Sequence, residues 1–279
     1  MKTAKQLFFG AITVASLFVM NSCTKDDNDP SNPGGSNPTM VKKWEIPISA
    51  AFEIPAPAGR TETGNAVLEL WSDNSLRYSI NVPSVTAGDS LTMAHLHSGD
   101  PVTVGPVILN LAPTFVNGVA SDTITGLRQS LADSIETGAV YLNVHSKDFP
   151  DGLVRGQLDK TIDFATDVNM TGANVVPAVN TTADGKSYFR LTTDKILYST
   201  TTVNNIEAGD SVTTGALYLG AADANGTLMQ QFADSYADFG ITKADTLTDE
   251  QITQLKSDPV YVTIASKNQA NGLVRGQIR

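Results

Sequence analysis

The three histidines are the residues of this sequence best able to do chemistry, and all three lie in its first half. His95 and His97 are two positions apart, so a strand would carry both side chains on one face, with Ala94 and Leu96 on the other. His145 ends a second run of alternating residues. Imidazole nitrogens are ligands for Zn²⁺ and Cu²⁺, so these three histidines predict a zinc or copper site.

The sequence identifies neither the fourth ligand of a three-histidine site nor whether the histidines bind a metal at all. Its fourth position would stay open or take a nearby carboxylate, and Asp100 and Asp148 are the candidates. The alternative is that the histidines are structural and hydrogen-bonded, because the sequence does not show that the strand of His97 lies beside the strand of His145.

The chain contains an internal duplication. The stretch 141–158 returns as 261–278, with nine of eighteen positions identical, and Ala87-Gly-Asp-Ser90 returns as 208–211. Two anchors at nearly the same offset predict two copies of one domain. Within the first stretch, Asp151-Gly152 predicts a tight turn between two short strands, as Asn271-Gly272 does in the second.

Comparison of the two copies separates two groups of residues. The first group is lost in the second copy: His95, His97 and His145 align with Ala216, Tyr218 and Ala265. The second group is kept: Arg155 and Gln157 align with Arg275 and Gln277. Joint loss is expected of one shared site that the second copy lacks. The retained pair predicts a structural role, in which the arginine satisfies backbone carbonyls or a carboxylate.

From Trp44 onward, short alternating runs rich in Val, Thr and Ile predict antiparallel strands, about seven in each copy. Each copy also has one helical segment: Leu127, Leu131 and Ile135 share a helix face, and Thr248-Asp-Glu-Gln251 is a capping box. The predicted fold class is all-β, with two tandem antiparallel Greek-key β-sandwich domains over residues 43–160 and 161–279, each with one short helix.

The N-terminus predicts export and anchoring. Residues 1–22 combine two lysines, a short apolar run and a small residue before Cys23, which is typical of a lipoprotein signal peptide. The alternative is an ordinary cleaved signal with an incidental cysteine. Residues 23–42, rich in Asn, Pro, Gly and Ser, predict a flexible tether, and Lys25-Asp26-Asp27 resembles the export signal of Bacteroidetes surface lipoproteins. We therefore expect a bacterial outer-membrane lipoprotein exposed at the surface.

Charge and composition limit the partners. The net charge of −10 argues against nucleic acid and against a polybasic membrane contact, so the lipid on Cys23 would be the only link to the membrane. That cysteine is the only one, which excludes an intrachain disulfide. The partner expected for such a chain is an extracellular protein or glycan whose identity the sequence does not give.

Four motifs of the first copy resemble the CHRD domain, a family named after chordin. They are His95-Leu-His97 followed by Gly99, Gly105-Pro-Val, Tyr141-Leu-Asn-Val-His145 and the run Gly152-Leu-Val-Arg-Gly-Gln157. The second copy keeps only the tyrosine strand and the Arg-Gly-Gln run. The resemblance implies an all-β fold similar to the Cu,Zn superoxide dismutase sandwich and a poorly defined binding role.

These observations predict a surface or envelope-anchored binding lipoprotein whose first domain binds copper or zinc through its three histidines. The alternative is an adhesive or scaffolding module whose histidines are structural, and a weaker one is a metal-dependent redox or hydrolytic enzyme. A dinuclear copper–zinc enzyme would need more imidazoles than three. The chain also lacks a Gly-x-Ser-x-Gly nucleophile motif, so no catalytic residue is predicted.

Overall fold

A computed structural model describes residues 37–279, which form two consecutive eight-stranded antiparallel sheets and two short α-helices. The all-β class and the two tandem domains are thereby confirmed. The predicted signal peptide, Cys23 and most of the predicted tether lie outside the described residues. Within residues 37–279, no helix combines the length and the apolar character needed to cross a membrane.

The elements of the first domain are β1 Met40–Ser49, β2 Thr63–Trp71, β3 Leu76–Asn81, β4 Leu91–Ser98, β5 Val107–Asn110, β6 Val119–Ile124, α1 Gln129–Thr137, β7 Val140–Ser146 and β8 Val154–Gln157. The second domain repeats this order with β9 Ile162–Thr171, β10 Asp184–Thr192, β11 Ile196–Asn204, β12 Val212–Leu219, β13 Thr227–Ala233, β14 Lys243–Thr246, α2 Asp249–Ser257, β15 Val260–Ser266 and β16 Val274–Gln277.

Each sheet consists of two four-stranded halves that meet at one corner. The strand order of the first sheet is β5-β4-β7-β8-β1-β2-β3-β6, and the second sheet has the equivalent order β13-β12-β15-β16-β9-β10-β11-β14. The halves of the first sheet are joined by a single bridge, Ser49 to Arg155. Apolar side chains of both halves, such as Ile46 and Leu96, belong to one buried core, so the halves face each other as a sandwich.

Strands β7 and β8 of the first sandwich are buried on both faces. On β4 the alternation predicted from the sequence holds, with Ala94 and Leu96 fully buried in the core. On β7, however, every residue is buried, including those that point away from the core. The outer face of β4, β7 and β8 is therefore covered by polypeptide, and this covered face carries the histidines.

Two local predictions differ from the structure. The edge strand β6 was not predicted because its sequence, Val-Ala-Ser-Asp-Thr-Ile, is too polar to show apolar alternation, so each sheet has eight strands instead of about seven. The two short strands predicted around Asp151-Gly152 are present and paired, but the connection is longer than the predicted tight turn, because residues 147–153 form a seven-residue loop between β7 and β8. The chain turns at Phe149, whose carbonyl accepts hydrogen bonds from the amides of Ser146 and Gly152.

The helices agree more closely with the sequence. Thr248 caps α2, and its side chain and that of Gln251 each accept a hydrogen bond from the other residue's backbone amide, which confirms the capping box. In the first domain α1 begins at Gln129, so Leu127 precedes the helix. Leu127 is nevertheless buried with Ile135 in the core.

Gly156, the glycine of the Arg-Gly-Gln run, lets the two halves approach each other. A methyl group on Gly156 would lie 2.4 Å from the carbonyl oxygen of Pro47 and 2.6 Å from Cγ2 of Ile46 on β1. Gly276 has the same environment, with the carbonyl oxygen of Asn169 at 2.5 Å from the added carbon. The run is therefore shared by both copies because the corner of each sandwich has no room for a side chain there.

We predict that Gly156→Ala and Gly276→Ala each lower the free energy of unfolding by about 2–3 kcal/mol, because the backbone of the neighbouring strand cannot move away from the added methyl group. Denaturant titration of the variants measures this loss. Ser121→Ala at an exposed position of β6 is the control and should change stability by less than about 0.5 kcal/mol. Stabilities equal to that of the control would contradict the close approach.

Candidate metal centre

The three histidines converge on the covered outer face. Strands β4 and β7 are antiparallel neighbours, and their register sets His95 opposite Asn143 and Met93 opposite His145. His145 therefore lies two residues along β7 from the partner of His95, on the same face. One ligand nitrogen from each of His95, His97 and His145 lies within 4.8 Å of the others.

Backbone carbonyls fix the orientation of two of the rings. Nδ1 of His145 lies 2.8 Å from the carbonyl oxygen of Pro150, and Nδ1 of His97 lies 2.9 Å from that of Gly105. A carbonyl only accepts, so each Nδ1 carries the proton and each Nε2 keeps its lone pair in the neutral ring. His95 then donates from Nδ1 to Nε2 of His145, across 2.9 Å.

Burial keeps all three rings neutral. Desolvation lowers the pKa of His97 and His145, although the hydrogen bonds to Gly105 and Pro150 raise it, and it lowers the pKa of the half-buried His95 as well. The neutral form is the one that binds a metal ion. The site is therefore ready for a cation at neutral pH without first losing protons from imidazolium groups.

Several buried polar atoms of this face have no hydrogen-bond partner among the described residues. They are Nε2 of His97, Oδ1 of Asn143, Nε of Arg155, Oε1 of Gln157 and Oε1 of Glu53. Native structures leave few buried polar atoms unpaired, so their concentration on one face marks it as a place that can bind something polar. Nε2 of His97 is the atom best suited to a metal ion.

The two candidate carboxylates do not belong to the histidine group. The Asp100 carboxylate accepts hydrogen bonds from the Val102 amide at 2.9 Å and from the hydroxyls of Thr103 and Thr242 at 2.8 Å each. It thus holds the loop 99–105 in shape. Asp148 is exposed, and its amide donates to Asp89. The group of three that can hold an ion contains neither aspartate.

Glu53 is a residue of this face that the sequence analysis missed. It is 5% exposed and follows the 3₁₀ turn Ala50–Phe52. A carbon added to Gly152 would lie 2.8 Å from Oε1 of Glu53 and 2.7 Å from Oδ1 of Asn143, so the Glu53 and Asn143 side chains converge there. Burial raises the pKa of Glu53 to about 8, against the charges of Arg155 and Arg190, which lower it.

The internal repeat contains the signal that could have found Glu53. In the second domain the 3₁₀ turn Gly172–Asn174 is followed by Val175, and a proline comes two residues after Glu53 and after Val175 alike. Glu53 is therefore replaced by an apolar residue in the same copy that loses the histidines. Asn143 is replaced as well, by Thr263.

The retained arginine and glutamine hold the loop that covers the site. The Arg155 guanidinium lies 3.5 Å from the ring centre of Tyr141 and donates to the carbonyls of Asp100 at 2.7 Å and Thr103 at 3.0 Å. Gln157 donates to the carbonyl of Gly99. In the second domain Arg275 lies 3.4 Å from the Tyr261 ring centre and donates to Ala221, while Gln277 donates to Gly220.

The second domain contacts two segments beside the histidine face, the loop 99–105 and the residues 53–56. Thr242 donates to Asp100 in the loop 99–105. The buried Arg190 of β10 donates to the carbonyl of Glu53 and forms an ion pair with Asp167 at 2.9 Å, and Asp167 in turn accepts from the Ala56 amide. The covered face is thus closed partly by side chains of the other copy.

We predict that Glu53→Gln changes how stability depends on pH. Because the pKa of Glu53 is raised, the folded protein keeps this proton between pH 4.5 and about 8 while the unfolded chain loses it, so ionisation of Glu53 lowers the stability of the wild type as pH rises through that window. The glutamine variant lacks this loss, and its stability relative to wild type should grow by roughly 2–5 kcal/mol from pH 5 to pH 8.

Urea titrations of the metal-free proteins at several pH values measure this difference. Glu45→Gln is the matched control, because Glu45 is exposed on β1 and its pKa is lowered by Lys43 instead of raised by burial. A pH-independent difference between Glu53→Gln and wild type would contradict the buried, protonated carboxyl.

The family model described as the CHRD domain matches residues 44–158 and again residues 166–278, in agreement with the two domains of the fold. No solved structure matches the chain, so the likeness to the superoxide dismutase sandwich stays a prediction. The two matched segments cover most of the sequence, and the chain therefore belongs to the CHRD domain family, of which it carries two tandem copies.

Proposed function

We propose that the first domain binds one transition-metal ion, copper or zinc, through His95, His97 and His145. The observation that carries this proposal is the convergence of three neutral imidazoles within 4.8 Å, two of them with Nε2 lone pairs fixed by backbone carbonyls. Carbonyls that hold the far nitrogen of a histidine are the usual outer shell of a metal site.

Binding requires a small rearrangement. Metal–nitrogen bonds of about 2.0–2.1 Å place the nitrogens of a tetrahedral site only ~3.4 Å apart, so the rings must close by about 1 Å or more. His95 is the ring that can move, because it is half-buried and has no backbone carbonyl on either nitrogen. Its hydrogen bond to His145 would be exchanged for the metal bond.

The ligand set favours copper and zinc over the other common divalent ions. Imidazole suits both metals, whereas magnesium and calcium prefer oxygen ligands. For a given nitrogen site Cu²⁺ binds more tightly than Zn²⁺, so an equilibrium titration should rank copper first.

A second function, an adhesive or scaffolding module, is favoured by the hydrogen bond of 2.9 Å between His95 and His145. In that case the histidines stabilise the covered face without a metal ion. A redox or hydrolytic activity would depend on a loaded site, so the metal measurement also decides whether such an activity is worth assaying.

The metal experiment uses the full chain purified without a histidine tag. We expect about one equivalent of Cu²⁺ or Zn²⁺ per chain, and a loss of affinity of at least ~100-fold in the His95→Ala/His97→Ala double variant, because two of three ligands are gone. Titration calorimetry and elemental analysis measure both. Tyr218→Ala, at the position equivalent to His97 in the second domain, is the control and should bind like wild type.

Substoichiometric metal in the wild type, or unchanged affinity in the double variant, would contradict the metal site. The structural alternative predicts a different outcome: no metal bound by either protein, and a lower melting temperature of the double variant in chelator. Circular dichroism of both proteins checks that each is folded.

We also propose that the protein is anchored in the outer membrane by lipid on Cys23 and exposed at the surface. The support is the signal-like segment before Cys23 and the tether after it. We expect labelled palmitate to be incorporated into the wild type but not into Cys23→Ala, and protease added to whole cells to degrade the wild type. A labelled Cys23→Ala protein would contradict lipidation, and protection from protease would contradict surface exposure.

A further inference from the structure

The second domain has an open cavity on the face that corresponds to the histidine face of the first domain, beside the position of His97. Its volume is about 350 Å³, and it is lined by Tyr218, Asn225, Tyr261, Thr263 and Arg275 together with the apolar loop around Val175. Three of these residues occupy positions equivalent to residues of the histidine face: Tyr218 to His97, Thr263 to Asn143 and Val175 to Glu53. The same covered face is thus rebuilt with a different set of side chains.

This face lacks the acidic side chain found in the first domain. There, the Glu53 carboxyl is close enough to Arg155 for each to shift the other's pKa. In the second domain Val175 replaces the acid, and Arg275 has no ion pair among the described residues. Burial lowers the pKa of Arg275, and the acid that raises it is Asp223, which lies on the exposed part of the covering loop 220–226.

Arg275 is a buried cation with unused hydrogen-bonding capacity. It is 2% exposed, its Nη2 donates to the carbonyl of Ala221 at 2.6 Å, and its Nη1 has no partner. A buried charge without a counter-ion is costly, and a planar guanidinium pairs best with a carboxylate. The cavity it lines therefore favours an anionic ligand that carries a carboxylate.

The other walls suit a polyhydroxylated ring. Tyr218 and Tyr261 are stacked, with ring centres 5.4 Å apart and 11° between the ring planes. Asn225 binds the carbonyl of Val176 through Nδ2, which leaves its Oδ1 for a ligand, and Thr263 and Asn271 add further hydrogen-bonding groups. The face of Tyr218 that is turned away from Tyr261 can pack on the apolar side of a sugar, while the amides and hydroxyls bind the sugar's hydroxyl groups.

We infer that the second domain binds a small organic carboxylate of the size of a single sugar acid, such as a hexuronate. The volume lies at the lower end of the range for ligand pockets, roughly 300–1,000 Å³, which fits one ring and excludes an extended chain from the enclosed part. This inference is independent of the proposed metal site, since the two involve different domains and different residues.

The experiment titrates the full chain, treated with chelator, with D-glucuronate as the probe and D-glucose as its neutral counterpart. We expect saturable binding of glucuronate, followed by calorimetry and by amide chemical shifts of residues 218–226 and 261–275. Glucose should bind at least about tenfold more weakly, because it cannot pair with Arg275.

Two variants test the place of binding without removing the buried arginine. Ala270→Trp puts a bulky side chain at the exposed rim of the cavity and should abolish glucuronate binding. Val104→Trp, in the covering loop 99–105 of the first domain and 68% exposed, is the control and should bind like wild type.

Three results would overturn the inference. They are the absence of saturable glucuronate binding, equal affinity for glucose and glucuronate, and unchanged binding in Ala270→Trp. None of them bears on the metal titration of the first domain, so failure of this inference and failure of the proposed function can be told apart.

Discussion

The arginine–tyrosine stack on the outer face of each sandwich is the interaction on which the rest of the structure depends. Arg155 lies against Tyr141 and binds two carbonyls of the loop 99–105, and Arg275 makes the equivalent stack on Tyr261. A buried guanidinium is stable only if its donors find acceptors, so the loop must stay closed over the strands. This closure turns an outer sheet face, normally in water, into a second and polar interior.

In the polar interior, a small set of substitutions is enough to change the chemistry of the face. In the first domain the loop carbonyl of Gly105 orients His97, and that of Pro150 orients His145. The strands and loops that do this are repeated in the second domain, where Tyr218 stacks on Tyr261 much as His97 stacks on Tyr141. The frame is common to both copies, and the side chains within it set the chemistry.

The sequence predicted the fold class, the duplication and the shared face of His95 and His97, because all three follow from local periodicity and self-comparison. The joint loss of the three histidines in the second copy predicted that His145 joins them, but the sequence could not show the pairing of β4 with β7 that brings them together, a contact across about fifty residues. Glu53 was missed because it lies outside any strand pattern. The connection at Gly152 is longer than the dipeptide signal predicted, because the turn is part of a seven-residue loop.

The replacement of Glu53 by Val175 helps to explain why the two proposed sites favour ligands of opposite charge. With Glu53 opposite Arg155, the first face carries a carboxyl and three neutral imidazole rings whose lone pairs favour a cation. With Val175 opposite Arg275, the second face keeps the same positive charge but loses both the acid and the imidazoles, which favours an anion. Since the backbone frame is the same, the sign of the preferred ligand is set by the few side chains that the duplication has allowed to differ.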